Sequence, residues 1–199
     1  MSGGPSGMLR LFTAVELPAA VKTMLLSLQT DIPTLKWARE DTLHLTLRFI
    51  GETAQSKLPA IKAALASVQG AGFSLRLNGL GLFERPAQTI LWAGLESCPE
   101  LAALKHGIDA ALTAGAGLAP ARGRFSPHIT LGRLKGPAPA ELRRFAHTHA
   151  TADMAQFTIT SFTLFSSVLR PNGAVHFPEE VYPLREEANR QGNPPAKCE

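Results

Sequence analysis

The chain runs through one order of segments twice, and that repeat limits what it can fold into. A strand at 10–16, a helix at about 18–29, an alternating strand beginning at His44, a helix at about 56–68 and an alternating strand at 73–80 form the first series. A strand at 89–95, a helix at about 99–114, an alternating strand around His128, a helix at about 138–149 and a strand at 157–165 form the second. The offset of about 80 residues is far longer than a solenoid period, so it points to an internal duplication that makes two lobes. Phe73, Leu75 and Leu77 alternate with Ser74, Arg76 and Asn78, and Phe157 and Ile159 with Thr158 and Thr160, the pattern of strands with one wet face. A last strand at 175–182 follows the turn formers Pro171-Asn172-Gly173. The expected fold is α+β and bilobal: two pseudo-symmetric antiparallel-rich sheets with outer helices and a central cleft.

His44-Leu45-Thr46-Leu47 and His128-Ile129-Thr130-Leu131 occupy matching places in the two series, 84 residues apart. On a strand each His shares a face with its Thr, while the aliphatic residues point the other way into a core. Two imidazoles facing one cleft suit a reaction in which one group takes a proton while the other gives one, because both forms exist near neutrality. The two Thr hydroxyls can donate to non-bridging oxygens, and Arg133 can add a charge-assisted bond; together they describe a phosphate. Strict alternation puts Arg133 on the face of Leu131, so its reach into the site requires a bulge or twist near Gly132. A single His-x-Thr carries little weight. A third copy, His149-Ala150-Thr151, lacks apolar flanks and falls at a helix end, so it is set aside.

With 199 residues, 45% hydrophobic and 18% charged, the chain has the composition of an ordinary globular protein. The boundaries expected are a disordered leader over 1–8, one two-lobed unit over 9–185 and a disordered tail over 186–199. No apolar run is long enough to cross a bilayer and the first residues lack the order of a signal peptide, so cytoplasmic residence is expected. A net charge of +4 mildly favours an anionic partner. Cys98 and Cys198 are the only cysteines, and no disulfide is expected of them. His106, His147, His149 and His176 are scattered and offer no third metal ligand. Ser126 lacks the setting of a nucleophile elbow, and the glycines form no phosphate-cradling loop.

The longer segments His44-Leu45-Thr46-Leu47-Arg48-Phe49-Ile50-Gly51 and Phe125-Ser126-Pro127-His128-Ile129-Thr130-Leu131-Gly132-Arg133 resemble the two motifs of the two-histidine (2H) phosphoesterase superfamily. Within it they are similar to the RNA 2',3'-cyclic phosphodiesterases, sometimes called 2'-5' RNA ligases. The resemblance covers about residues 9–185 and takes in Trp37, the stretch 79–83, the stretch 91–94 and the late Tyr182-Pro183-Leu184. It implies a bilobal fold, no metal or other cofactor, and hydrolysis of a terminal RNA 2',3'-cyclic phosphate to a 2'-phosphomonoester. It also implies His44 as proton donor, His128 as proton acceptor, and Thr46, Thr130 and Arg133 as phosphate ligands; the local sequence, being symmetric, leaves donor and acceptor interchangeable. Phe49 is a candidate for stacking on an RNA base, with a core role as its alternative. Arg48, by alternation on the face opposite Phe49 and beside the histidines, is a candidate for meeting backbone phosphate, with a solvated surface charge as its alternative. The partner expected is RNA with a cyclic phosphate end or a related nucleotide, bound by a monomer. Other readings are a phosphodiesterase of small cyclic nucleotides or 2'-5' oligonucleotides, reverse 2'-5' ligation, and a non-catalytic RNA-binding module.

Overall fold

A nine-stranded sheet organises the computed structural model, which describes residues 7–186 other than 122 and 172. In chain order the elements are β1 (Met8–Glu16), α1 (Ala19–Ser27), β2 (Lys36–Trp37), β3 (His44–Ala54), α2 (Leu58–Ala66), β4 (Phe73–Arg85), β5 (Gln88–Leu95), α3 (Pro99–Ala116), β6 (Ile129–Lys135), α4 (Ala140–Thr148), β7 (Asp153–Ile159), β8 (Ser161–Arg170) and β9 (Gly173–Pro183). The strand order is β7-β4-β5-β6-β3-β1-β8-β9, with β2 also on β6, and every pairing between these strands is antiparallel. The expected leader and tail lie outside the described residues except for 7, 8 and 186, and Met8 already pairs with Ala54.

Two four-stranded halves are therefore visible, β7-β4-β5-β6 and β3-β1-β8-β9, and they join at the single pair Leu45↔Ile129. Neither half is one sequence series. β4, the last strand of the first series, pairs with β5 of the second, while β8 of the second pairs with β1 of the first. The exchange ties the lobes together through backbone bonds on both sides of the junction. The strand expected at 157–165 is in fact two, separated at Thr160, with β7 at one edge of the sheet and β8 in the other half. A phase slip in the sequence marks the break: the buried residues change from Phe157 and Ile159 to Phe162 and Leu164.

The core covers the sheet face that carries Leu45, Leu47, Ile129 and Leu131, and each of these is at most 2% exposed. Fully burying a side chain of this size stabilises by about 1.5–3 kcal/mol. α3 contributes Leu101, Leu104, Ile108 and Leu112, one apolar stripe at helical spacing. Proline near its start and Glu100 in its first turn favour initiation, and Gly117 ends it at φ 60°. α2 approaches α3 so closely that a Cβ on Gly115 would lie 2.9 Å from the Cβ of Ala64. The packed helices leave the opposite face of β3 and β6, the one with the histidines, uncovered by that cluster. Among the described residues no helix is long and apolar enough to cross a membrane.

Candidate active site

The two histidine motifs meet where the halves of the sheet meet. Antiparallel running about Leu45↔Ile129 sets residue 44 level with 130 and residue 46 level with 128. Each motif His thus faces the Thr of the other motif across the junction, and all four side chains are partly exposed while Leu45 and Ile129 are fully buried. A small group bound over this junction lies beside both imidazoles and both hydroxyls.

Each motif strand bulges just after its Thr. On β3, Thr46 pairs with Ala14 but Arg48 with Thr13, so Leu47 is an extra residue. On β6, Thr130 pairs with Trp92 but Gly132 with Leu91, so Leu131 is extra. A bulge makes two successive residues point the same way and inverts the alternation beyond it. Leu131 and Gly132 are both buried and Arg133 emerges on the Thr130 face, exposed; this supplies the bulge that its reach requires. β2 secures the bulged stretch, with Lys36 and Trp37 paired to Arg133 and Gly132 and the Ala38 N–H donating to the Leu131 carbonyl at 2.7 Å.

The matching bulge in β3 corrects the expectation for Arg48 and sets aside the core alternative for Phe49. Arg48 is turned inward and only 6% exposed. It donates to the Asp109 carboxylate at 2.8 Å and to the Ala119 carbonyl at 2.6 Å, and Lys105 pairs with the same carboxylate. Arg48 is therefore neither a solvated charge nor placed to meet RNA. Phe49 takes the site face instead and is 69% exposed, beside Phe12 with ring centroids 6.2 Å apart.

The histidines sit among aromatic rings. His44 lies 5.0 Å from Phe12, 6.4 Å and nearly parallel to Phe165, and 5.3 Å and edge-on to His176. His128 lies 4.9 Å and edge-on to Phe83, which contacts Trp92 at 5.1 Å. Gly81 makes room for that indole: a Cβ there would come within 2.3 Å of the Trp92 ring. The Nδ1 of His128 is 2.8 Å from the Ser126 carbonyl, two residues back, and the Thr42 backbone, also two residues back, bonds to His44. A ring that donates Nδ1–H to a carbonyl keeps Nε2 for chemistry, with its lone pair free when the ring is neutral. Burial holds the His44 imidazole down to about 4, with the charge of His176 next and Arg133 and Lys22 adding to it, against the opposing bond from Thr42.

His176, Lys22, Phe12, Phe165 and Phe83 were not legible as site residues. His176 was one of the scattered histidines, and it reaches His44 because β9 folds back on β8. His44 and His176 adjoin, but among the described residues no third His, Cys, Asp or Glu completes a metal-binding group. His149 belongs to the end of α4, its Nδ1 2.9 Å from the Phe145 carbonyl, as expected of an accidental copy. Cys98 is buried and unbridged, and Cys198 lies outside the described residues.

Comparison with known proteins gives the same picture. Residues 28–169, which contain both motifs and the junction between them, match the model of the 2'-5' RNA ligase superfamily. An RNA 2',3'-cyclic phosphodiesterase of Thermus thermophilus is 34% identical over 92% of this chain and 94% of its own. One of Aeropyrum pernix is 31% identical over 74% of this chain and 84% of its own. Among solved structures, a Thermus thermophilus protein superposes with a TM-score of 0.74 at 29% identity, covering 89% of this chain and 99% of that one. The E. coli LigT complexed with 3'-AMP gives 0.71 at 25% identity, covering 90% and 99%. Sequence likeness that runs through both halves of the sheet and the strand pair joining them means that the chain belongs to the 2'-5' RNA ligase superfamily.

Proposed function

We propose that this protein hydrolyses the 2',3'-cyclic phosphate at the end of an RNA strand, leaving a 2'-phosphomonoester. The observation that carries the reading is the Leu45↔Ile129 pair, which levels the two His-x-Thr motifs on one face; the names of the relatives supply the substrate class. Thr46, Thr130 and Arg133 hold the non-bridging oxygens. His128, with Nδ1 on the Ser126 carbonyl, takes a proton from water through Nε2 as the water oxygen bonds to phosphorus. The bond from phosphorus to the 3'-oxygen breaks, and His44 gives that oxygen its proton. Burial, and after it the charges of His176, Arg133 and Lys22, oppose a proton on His44; the negative charge of the bound phosphate acts against them and favours the protonated donor. The reading has residues 9–185 act as one unit, a monomer in the cytoplasm; a sheet continuous across both halves supports the first of these.

Purified protein incubated with an oligoribonucleotide ending in a 2',3'-cyclic phosphate tests it. Product carrying phosphate at the 2' position is expected, and none from His44→Ala or His128→Ala proteins whose circular dichroism matches the parent. RNA bound and released unchanged by the parent protein would leave the binding-module reading instead. A second reading, action on a small cyclic nucleotide, draws on the solved relative complexed with 3'-AMP. Rates on mononucleotide against oligonucleotide substrates separate the two.

A further inference from the structure

His176 stands on β9 opposite Ser167, and its ring reaches toward β3 to contact Phe12 at 4.9 Å and His44 at 5.3 Å, nearly perpendicular to both. Its Nδ1 is buried and has no hydrogen-bond partner. A phenyl ring would pack against Phe12 equally well without leaving a buried nitrogen unpaired, so packing alone does not account for an imidazole here.

The surroundings fix the relation between the two rings. Arg39 and Asp41, which lie just before His44, form a two-pronged pair at 2.9 and 3.0 Å. Arg39 also donates to the Ala174 carbonyl at 3.2 Å, tying the start of β9 to the segment that leads into the motif. The charged groups that act on His176 are Asp41 and Arg39 from that segment and Arg10 from β1. Those that act on His44 are His176 itself, Arg133 from β6 and Lys22 from α1. Glu16 is level with His44 on β1, and its carboxylate accepts a bond from the Thr163 hydroxyl at 3.4 Å. Two imidazoles in contact cannot both take a proton without repulsion, so they titrate as a coupled pair.

We propose that His176 is a positioning residue for His44, holding the plane of its ring against Phe12 and setting by its own charge state how readily His44 keeps a proton. The proposal rests on the catalytic reading of His44 given above. Burial pushes the His176 imidazole below its usual range, against Asp41, so its protonated form is scarce near neutrality and grows as the solution acidifies. The charge that hinders His44 is therefore present in acid and withdrawn near neutral pH.

Titration of the His44 ring signals by NMR tests this without any substrate, with the His44→Asn protein assigning them. In His176→Phe, which keeps an aromatic ring, and in His176→Gln, the His44 midpoint should rise by about half a pH unit or more. A midpoint within about 0.2 unit of the parent in both proteins would overturn the proposal. If neither variant folds, the parent decides: a two-step curve shared by His44 and His176 supports coupling, and two independent single-proton curves refute it. The acid limb of kcat/KM on the cyclic-phosphate oligonucleotide should move with the midpoint, and His176→Phe, which keeps a ring over His44 and so its burial, separates the loss of charge from loosened packing. A shifted midpoint in a protein that opens no cyclic phosphate would sink the catalytic reading and leave the coupling standing.

Discussion

Phe49 and Arg133 hold the same place in the two halves of the sheet: each is the fifth residue after its motif histidine, and each is turned onto the histidine face by a bulge after the threonine. One is an exposed aromatic and the other an exposed cation, so the duplicated scaffold presents two different groups to a ligand at the junction. Arg133→Met should lower kcat/KM by about 100-fold, because a preorganised charge on phosphate is lost. Phe49→Ala should raise KM for an oligonucleotide about tenfold and leave kcat in place, as expected for one lost base stack. At 69% exposure Phe49 should add little to stability, so its thermal midpoint serves as the control.

The rate should follow a bell in pH whose acid limb lies unusually low. On the proposed mechanism activity needs one proton shared between two imidazoles, and acid removes the neutral partner whichever histidine that is. With His44 held to about 4, the acid limb of kcat/KM belongs near there in place of the ordinary imidazole value near 6.5. The limb of kcat, measured in the bound complex, should lie higher, because substrate anion offsets the charges of Arg133 and Lys22. A kcat/KM profile that collapses between pH 6 and 7 on the acid side would contradict the buried setting of His44.

The same burial links His44 to stability. Its folded value of about 4 lies below the unfolded value of 6.5, so on acidification the unfolded chain takes up the proton first. Its contribution is complete above about pH 6.5 and is lost as pH falls toward 4, a total of about 3 kcal/mol at 1.4 kcal/mol per pH unit. Urea unfolding at pH 7, 5.5 and 4 should show the parent losing about that much more than His44→Asn. Equal losses in the two proteins would mean that His44 is already charged in the fold.

Alternation and repetition made the architecture readable, because both are local: every helix of the two series, and every strand but the one expected at 157–165, falls close to its expected place, and the motif histidines fall where the halves join. What alternation could not show were the bulges after Thr46 and Thr130. Arg133 needs such a bulge to reach the site, whereas unbroken alternation puts Arg48 beside the histidines and Phe49 opposite, the reverse of their places in the fold. A bulge depends on register with β1 and β5, which no window of β3 or β6 contains. The exchange of β4 and β8 between the halves, and the approach of His176 to His44 across β1 and β8, are likewise matters of pairing between distant segments. Only the break at Thr160 left a local trace, in the changed phase of Phe157 and Ile159 against Phe162 and Leu164.

Arg48 makes the sharpest contrast between the local and the folded reading. It bonds β3 to Asp109 on α3 and to the Ala119 carbonyl in the segment that leads toward His128. Lys105 pairs with the same carboxylate and lies over the Phe125 ring at 5.5 Å, so one partly buried network braces the chain ahead of the second motif from strand and helix at once. Replacing Arg48 leaves Asp109 with Lys105 alone and removes the bond that ties the Ala119 segment to β3, at a cost of about 3 kcal/mol. Arg48→Met should therefore lower the thermal midpoint by about 6–12 °C. Where the variant remains folded, the loss of activity should appear in kcat, through a less firmly held His128, more than in KM. An RNA-contacting arginine would do the reverse, raising KM at unchanged thermal midpoint and flattening the salt dependence of binding. Thermal melts and steady-state kinetics on the one variant decide between the two.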